Sequence, residues 1–183
     1  MPKYRKKDEV YMKLVVIKKE EFNSIYEAMT TSFASDEIRT FEDAYKLLSL
    51  KEYKVFHLIS KNEKVGFITI WNLSSCTFVE HFVIYEEYRN KGFGGMAIDL
   101  INKEFDNVVL EAELGTTDLS KRRLGFYRRH GFKINDIDYV QPAYHKDKQP
   151  VDMHLLSYPS KLKNIDKLIE EIYELVYGVK KVC

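Results

Sequence analysis

Apolar residues recur along this chain with two periods, and the switches between them lay out the elements. Residues 14–17 form a short β-branched run, read as a strand. Over residues 20–31, Phe22, Ile25, Tyr26 and Met29 fall on one helical face. Thr40 with Asp43 makes a capping pair for a second short helix through Leu48. Residues 55–60, 65–72 and 77–84 read as strands separated by turns at Asn62-Glu63 and Ser74-Ser75, which predicts an antiparallel meander. A glycine-rich segment then opens a helix over 94–105, and residues 108–113 return as a strand. A strand–loop–helix–strand unit of this kind predicts a parallel pair.

A further helix, capped by Asp118 or Ser120, runs to His130 and stops at Gly131, with Arg128, Arg129 and His130 at the end where the helix dipole favours cations. Residues 132–140 and 151–157 are strand-like and flank a loop over 141–150. Residues 160–177 read as an amphipathic helix with Leu162, Ile165, Leu168, Ile169, Ile172, Leu175 and Val176 on one stripe and Gly178 at its end. The expected fold is α/β, an α+β mixed sheet. An antiparallel meander leads into a strand–helix–strand crossover, helices lie on both faces, and residues 1–183 make a single domain. The C-terminal helix covers one sheet face or joins a homodimer.

Composition narrows the function. Hydrophobic residues make up 45% and charged residues 31% of the chain, which suits a globular protein able to bury a core without staples. The net charge of +1 gives no ground for a nucleic-acid partner without a local basic patch. Cys76 and Cys183 lack CxxC partners, so neither a metal site nor a disulfide framework is expected. Residues 1–10 are charged and carry no apolar core of a signal peptide. No apolar run approaches the roughly 20 residues of a membrane helix, so a cytoplasmic protein without a membrane partner is expected.

The segment Arg89-Asn90-Lys91-Gly92-Phe93-Gly94-Gly95 carries the chemistry. Glycines at a helix start leave bare amides, the dipole adds partial positive charge, and two cations stand beside them, which is a setting for phosphate. Gly92, Gly94 and Ala97 fit the dinucleotide fingerprint, with Glu111 or Glu113 about twenty residues on. Against it, residues 85–91 separate the strand from the first glycine, and a meander rather than repeated βαβ units precedes it. A dinucleotide-binding protein is therefore a remote alternative. Lys91-Gly92-Phe93-Gly94 also copies the start of an RNA-binding signature, but the aromatics that should follow are missing.

The same residues, Tyr88 to Gly94, resemble the R/Q-x-x-G-x-G/A motif of the GNAT superfamily of N-acetyltransferases. Glu80-His81-Phe82-Val83-Ile84 resembles that family's fourth strand, and Gly125-Phe126-Tyr127-Arg128-Arg129-His130-Gly131-Phe132 resembles its second signature, F-Y-x-x-x-G-F. The resemblance implies acetyl-CoA as co-substrate, a primary amine (small molecule or peptide) as acceptor, direct transfer in a ternary complex, and no metal. It implies coenzyme contacts at Arg89, Asn90, Lys91, Gly92, Phe93, Gly94 and Gly95, and at the backbone of Phe82, Val83 and Ile84. Ser120 and Arg123 stand where relatives carry Asn and Ala, and are coenzyme-binding candidates. Tyr127 is expected to protonate the leaving thiolate. Glu80 is the expected base, with His81 the alternative. Glu80 is expected at a β-bulge, and alternation puts His81 on the opposite face unless that bulge reverses it. Glu111 and Glu113 share a face, either lining the cleft to attract an amine or forming a solvated edge. Lys121, Arg122 and Arg123 could meet the coenzyme's outer phosphate, and the loop holding Tyr144, His145 and Lys146 resembles the segment covering the acceptor. An acyl-CoA-binding module without catalysis is the alternative function on the same fold.

Overall fold

The computed structural model describes residues 11–179; the stretch 1–10, where no leader is expected, and Cys183 lie outside them. Eight strands form one sheet: β1 (Met12–Val16), β2 (Tyr53–Ser60), β3 (Glu63–Asn72), β4 (Thr77–Ile84), β5 (Val108–Glu113), β6 (Lys133–Ile134), β7 (Tyr139–Gln141) and β8 (Val151–Tyr158). The spatial order is β1-β2-β3-β4-β5-β8-β6, and β7 also pairs with β8. Every pairing is antiparallel except β4 with β5. Among the described residues five α-helices accompany the sheet: α1 (Phe22–Ser32), α2 (Phe41–Leu47), α3 (Phe93–Glu104), α4 (Asp118–Arg129) and α5 (Ile165–Glu171). The expected mixed sheet, with a meander before the crossover, is what the chain forms.

Period-two alternation divides the core between the two faces. Phe67, Trp71, Phe78, Val109 and Leu155 pack with α1, α2 and α5. Ile68, Ile70, Val79, Leu110 and Leu156 pack with α3 and α4 on the other face. Strand β3, covered on both sides, is accordingly apolar almost without interruption from Val65 to Trp71. Gly66 interrupts that run because β4 comes too close for a side chain. A Cβ there would stand 2.1 Å from the Val83 carbonyl oxygen. Gly66→Ala is expected to cost about 1–3 kcal/mol as overpacking, read as a lower unfolding midpoint.

Two elements differ from the pattern-based expectation. The strand expected over 132–140 is split into β6 and β7, because Asn135 takes over the backbone's partners between them. Its Nδ2 donates to the Leu155 carbonyl (2.9 Å) and to Ser157 Oγ (3.0 Å), and its Oδ1 accepts from the Leu162 amide (2.8 Å). That last bond also holds Leu162 out of a helix, so α5 starts only at Ile165, after Asn164 with φ +54°. The helix then widens into a π-turn over Ile172–Val176. Leu168, Ile169, Ile172 and Val176 are buried as the stripe predicts, but the widened turn swings Leu175 out to 43% exposure. The cap of α4, expected at Asp118 or Ser120, is the residue just before the first of these. Thr117 caps α4, exchanging hydrogen bonds with Ser120 in a capping box.

Candidate active site

The site begins with a register shift. Thr69 pairs with His81 but the next residue, Ile70, pairs with Val79, so Glu80 is the extra residue of a β-bulge in β4. The bulge turns Glu80 and His81 to the same face, that of α1, α2 and α5, where simple alternation would have separated them. The parallel pairing of β4 with β5 ends just there, at Val79 with Leu110. Beyond it β4 stays with β3 and β5 stays with β8, so a gap opens between the two parallel strands. The first residue past the last pair is a carboxylate on each side: Glu80 and Glu111.

Glu80 is fully enclosed, its side chain 1% exposed. It forms an ion pair with Arg39 and accepts from Trp71 Nε1 (3.0 Å) and Tyr144 Oη (3.0 Å). Burial pushes its pKa up, but the guanidinium of Arg39 and the hydrogen bonds outweigh that and hold it below the usual range. Arg39 lies in the connection between α1 and α2. It also donates to the Val176 carbonyl, exposed for this by the π-turn, and rests 4.7 Å from the Tyr144 ring centroid. His81 is kept neutral, chiefly by burial, with Nδ1 3.0 Å from Thr69 Oγ1.

Glu111 has a different environment. Its partners are all neutral: Tyr139 Oη, Gln141 Nε2 and Tyr177 Oη, the last at 2.6 Å. With no cation opposite it, burial dominates and its pKa rises to about 7. Glu113, the other acid of that strand, is half exposed and pairs with Arg123 Nη1 at 2.7 Å. Tyr144 and Tyr177 pack ring against ring, centroids 5.2 Å apart. Both tyrosines also form the wall of a cavity of about 680 Å³ between the 142–150 loop and the end of the π-turn. The two carboxylates thus lie directly behind the cavity's aromatic wall.

The opposite face carries the glycine segment. Asn90 (φ +60°) and Gly92 (φ +84°) turn the chain sharply into α3. Gly92 is the N-cap and offers no side chain to the helix, and the first intrahelical bond there runs from the Met96 amide to the Gly92 carbonyl. The amides of Phe93, Gly94 and Gly95 therefore have no helical acceptor, and a diphosphate fits them. Arg89 Nε donates to the Ile84 carbonyl (3.0 Å), and Lys91 Nζ to the Glu87 carbonyl (2.6 Å). The two cations brace the loop and leave its potential positive. Phe82 and Ile84 face α3, while Val83 packs on the far side of the sheet. Gly95 lies where a Cβ would be 3.1 Å from the His130 ring, so its lack of a side chain lets α3 close on the end of α4.

Tyr127 projects from α4 into the same cluster, beside Phe126 and Phe132. It is 8% exposed, and burial raises its phenol to about 12. Ser120 is buried and its hydroxyl is committed to the cap with Thr117 (2.9 Å), while Arg123 is held by Glu113. Neither is free in the way the sequence implies. Arg39, Tyr139, Gln141 and Tyr177 were not singled out from the sequence. They reach the carboxylates from connections and strand edges far along the chain, where no periodicity marks them. Among the described residues no group of His, Cys, Asp or Glu is placed to hold a metal ion, and no helix is long and apolar enough to cross a membrane.

A mixed sheet splayed at a bulge, with a bare helix start beside the gap, defines a GNAT-type acyltransferase. The model of the Acetyltransferase (GNAT) family matches residues 21–132, more than half of the chain, and the protein belongs to that family. Its fold is similar to that of a GNAT-family acetyltransferase from Bacteroides thetaiotaomicron, at 26% identity and a TM-score of 0.85, covering 93% of this chain and all of the other. It also resembles the ribosomal-protein-S18-alanine N-acetyltransferase of Escherichia coli, at 14% identity and a TM-score of 0.58 over 84% of this chain and 97% of that one. A Bacillus subtilis acetyltransferase solved in complex with CoA is 15% identical, with a TM-score of 0.55 over 81% and 97% of the two chains. No curated protein matches the sequence.

Proposed function

We propose that this protein transfers an acetyl group from acetyl-CoA to a primary amine by direct attack within a ternary complex. The observation that carries the reading is the gap between β4 and β5, which has bare helix amides on one side and two buried carboxylates on the other. The CoA carried by the Bacillus subtilis neighbour supports the choice of coenzyme. Acetyl-CoA brings an acyl group already activated on a thiol leaving group.

The protein's own residues supply the rest. The first-turn amides of α3 hold the diphosphate. The unpaired edge of β4 from Phe82 to Ile84 offers main-chain partners to an extended arm, as a strand edge does to an added strand. Tyr127, with its phenol kept protonated by burial, donates to the departing sulfur. An incoming ammonium must lose a proton. The sequence points to Glu80 for this, but a carboxylate clamped by a guanidinium is the poorer acceptor. We assign the proton to Glu111, whose pKa of about 7 suits work at neutral pH, received through the Tyr177 hydroxyl on the cavity wall. Glu80 keeps its place in the site as a fixed negative charge that orients Tyr144.

The test is thiol release from acetyl-CoA over a panel of primary amines, with Tyr127→Phe beside the wild type. Release that needs an amine, with kcat reduced about 100-fold by the substitution while CoA still binds, is expected. A second reading, coenzyme binding without catalysis, draws on the engagement of Glu80 by Arg39. CoA binding with no release on any amine would favour it.

A further inference from the structure

The cavity in front of the carboxylates has a charge pattern that bears on the acceptor. Its outer wall carries His145, Lys146 and Lys148, and no acidic residue is on its lining among the described residues. Asp147, between the two lysines in sequence, is not on the wall. Neither lysine makes an ion pair with a described residue, so both charges face solvent or an occupant. The loop that bears them is anchored, because His145 Nε2 donates to the carbonyls of Ile38 (2.9 Å) and Ser35 (3.2 Å). Tyr144, Tyr173 and Tyr177 form an aromatic middle.

Behind that middle, Glu80 is already neutralised by Arg39, and Glu111 is held by neutral donors alone. Glu111, behind Tyr177, is therefore the one carboxylate there without a cation, and it favours one ammonium at the tyrosine wall. A second ammonium on the same molecule would lie against Lys146 and Lys148, where like charges repel. An anionic group would be drawn to that position. The volume of about 680 Å³ suits a small molecule rather than a folded partner.

We propose that the acceptor is a small amphoteric amine, its amine directed to the Tyr144–Tyr177 wall and an anionic group, carboxylate or phosphate, held by Lys146 and Lys148. A polyamine is the substrate this cavity rejects. The inference rests on the transferase reading for the amine's orientation, but it makes a claim about binding that needs no turnover.

The experiment is calorimetric titration of the protein–CoA complex with four amines of matched length: aminopentanoate, aminobutyl phosphate, pentylamine and cadaverine. Thiol release from acetyl-CoA is followed in parallel. At least one anionic amine should bind about tenfold more tightly than pentylamine, and cadaverine more weakly than either. Which anion wins distinguishes carboxylate from phosphate. The double substitution Lys146→Glu with Lys148→Glu should invert the order and favour cadaverine. CoA affinity, assigned to amides on the opposite face of the sheet from this loop, reports whether the variant is folded. Equal or tighter binding of cadaverine by the wild type overturns the proposal, as does an order that charge reversal leaves unchanged, or no binding of any amine. Binding of the anionic amine without thiol release leaves the proposal standing and removes the transferase reading instead.

Discussion

Replacing Glu111 by glutamine is expected to lower kcat/KM by about 10²–10⁴-fold, the range for loss of a positioned proton acceptor. The wild-type rate should rise with pH through about 7, the value to which burial brings this carboxyl, and the variant should lose that limb. Glutamine keeps the shape and can still pair with Tyr139, Gln141 and Tyr177 by rotation of the hydroxyls. The same substitution has a stability signature of known sign. A carboxyl whose folded pKa, about 7, lies above the ordinary 4.5 stabilises fully below pH 4.5, and the contribution is lost as pH rises through 7. At about 1.36 kcal/mol per pH unit that gap is worth about 3 kcal/mol. Chemical denaturation between pH 4.5 and 8 should show the wild type losing about 3 kcal/mol relative to Glu111→Gln, since the buried His81 contributes alike to both. A variant with full activity and an unchanged pH limb would remove Glu111 from the mechanism.

Arg39→Met should be the most damaging single change to the fold. It leaves the Glu80 carboxylate, 1% exposed, with Trp71, Tyr144 and the neutral His81 ring at 3.8 Å but no cation, and it strips the Val176 carbonyl of its donor. Breaking a buried pair from one side costs about 3–5 kcal/mol, because the remaining charge has no solvent to return to. For a domain of this size the unfolding midpoint should fall by about 10 °C. The double variant Arg39→Met with Glu80→Gln should recover most of the loss, since no uncompensated charge remains. If the single variant melts within about 1 kcal/mol of the wild type, the pair is not the clamp described.

The parts of this molecule that could be read from sequence are those set by local rules. Gly92, with Asn90 before it, marks a helix entry because glycine and asparagine tolerate the left-handed turn there, and the turn is where these residues say. The strands at 77–84 and 108–113 were legible to the residue because turns and glycines bracket them. The face of His81 was not, because a single inserted residue decides it and both registers fit the same apolar pattern. The C-terminal helix was overextended for a different reason: the Leu162 amide is taken by Asn135, 27 residues away, and no local preference encodes that. The carboxylate network is the extreme case. Arg39 lies 41 residues from Glu80, and Tyr177 lies 66 residues from Glu111. Each looks in sequence like an ordinary surface arginine or a helix-end tyrosine, and only the folded chain makes them a site.

The most direct test is a crystal structure of the protein with CoA. The diphosphate should lie within about 2.7–3.2 Å of the amides of Phe93, Gly94 and Gly95. The sulfur should lie in the gap past Val79 and Leu110, within reach of the Tyr127 hydroxyl. A coenzyme whose diphosphate avoids those amides, or whose arm runs outside the gap, would contradict this placement.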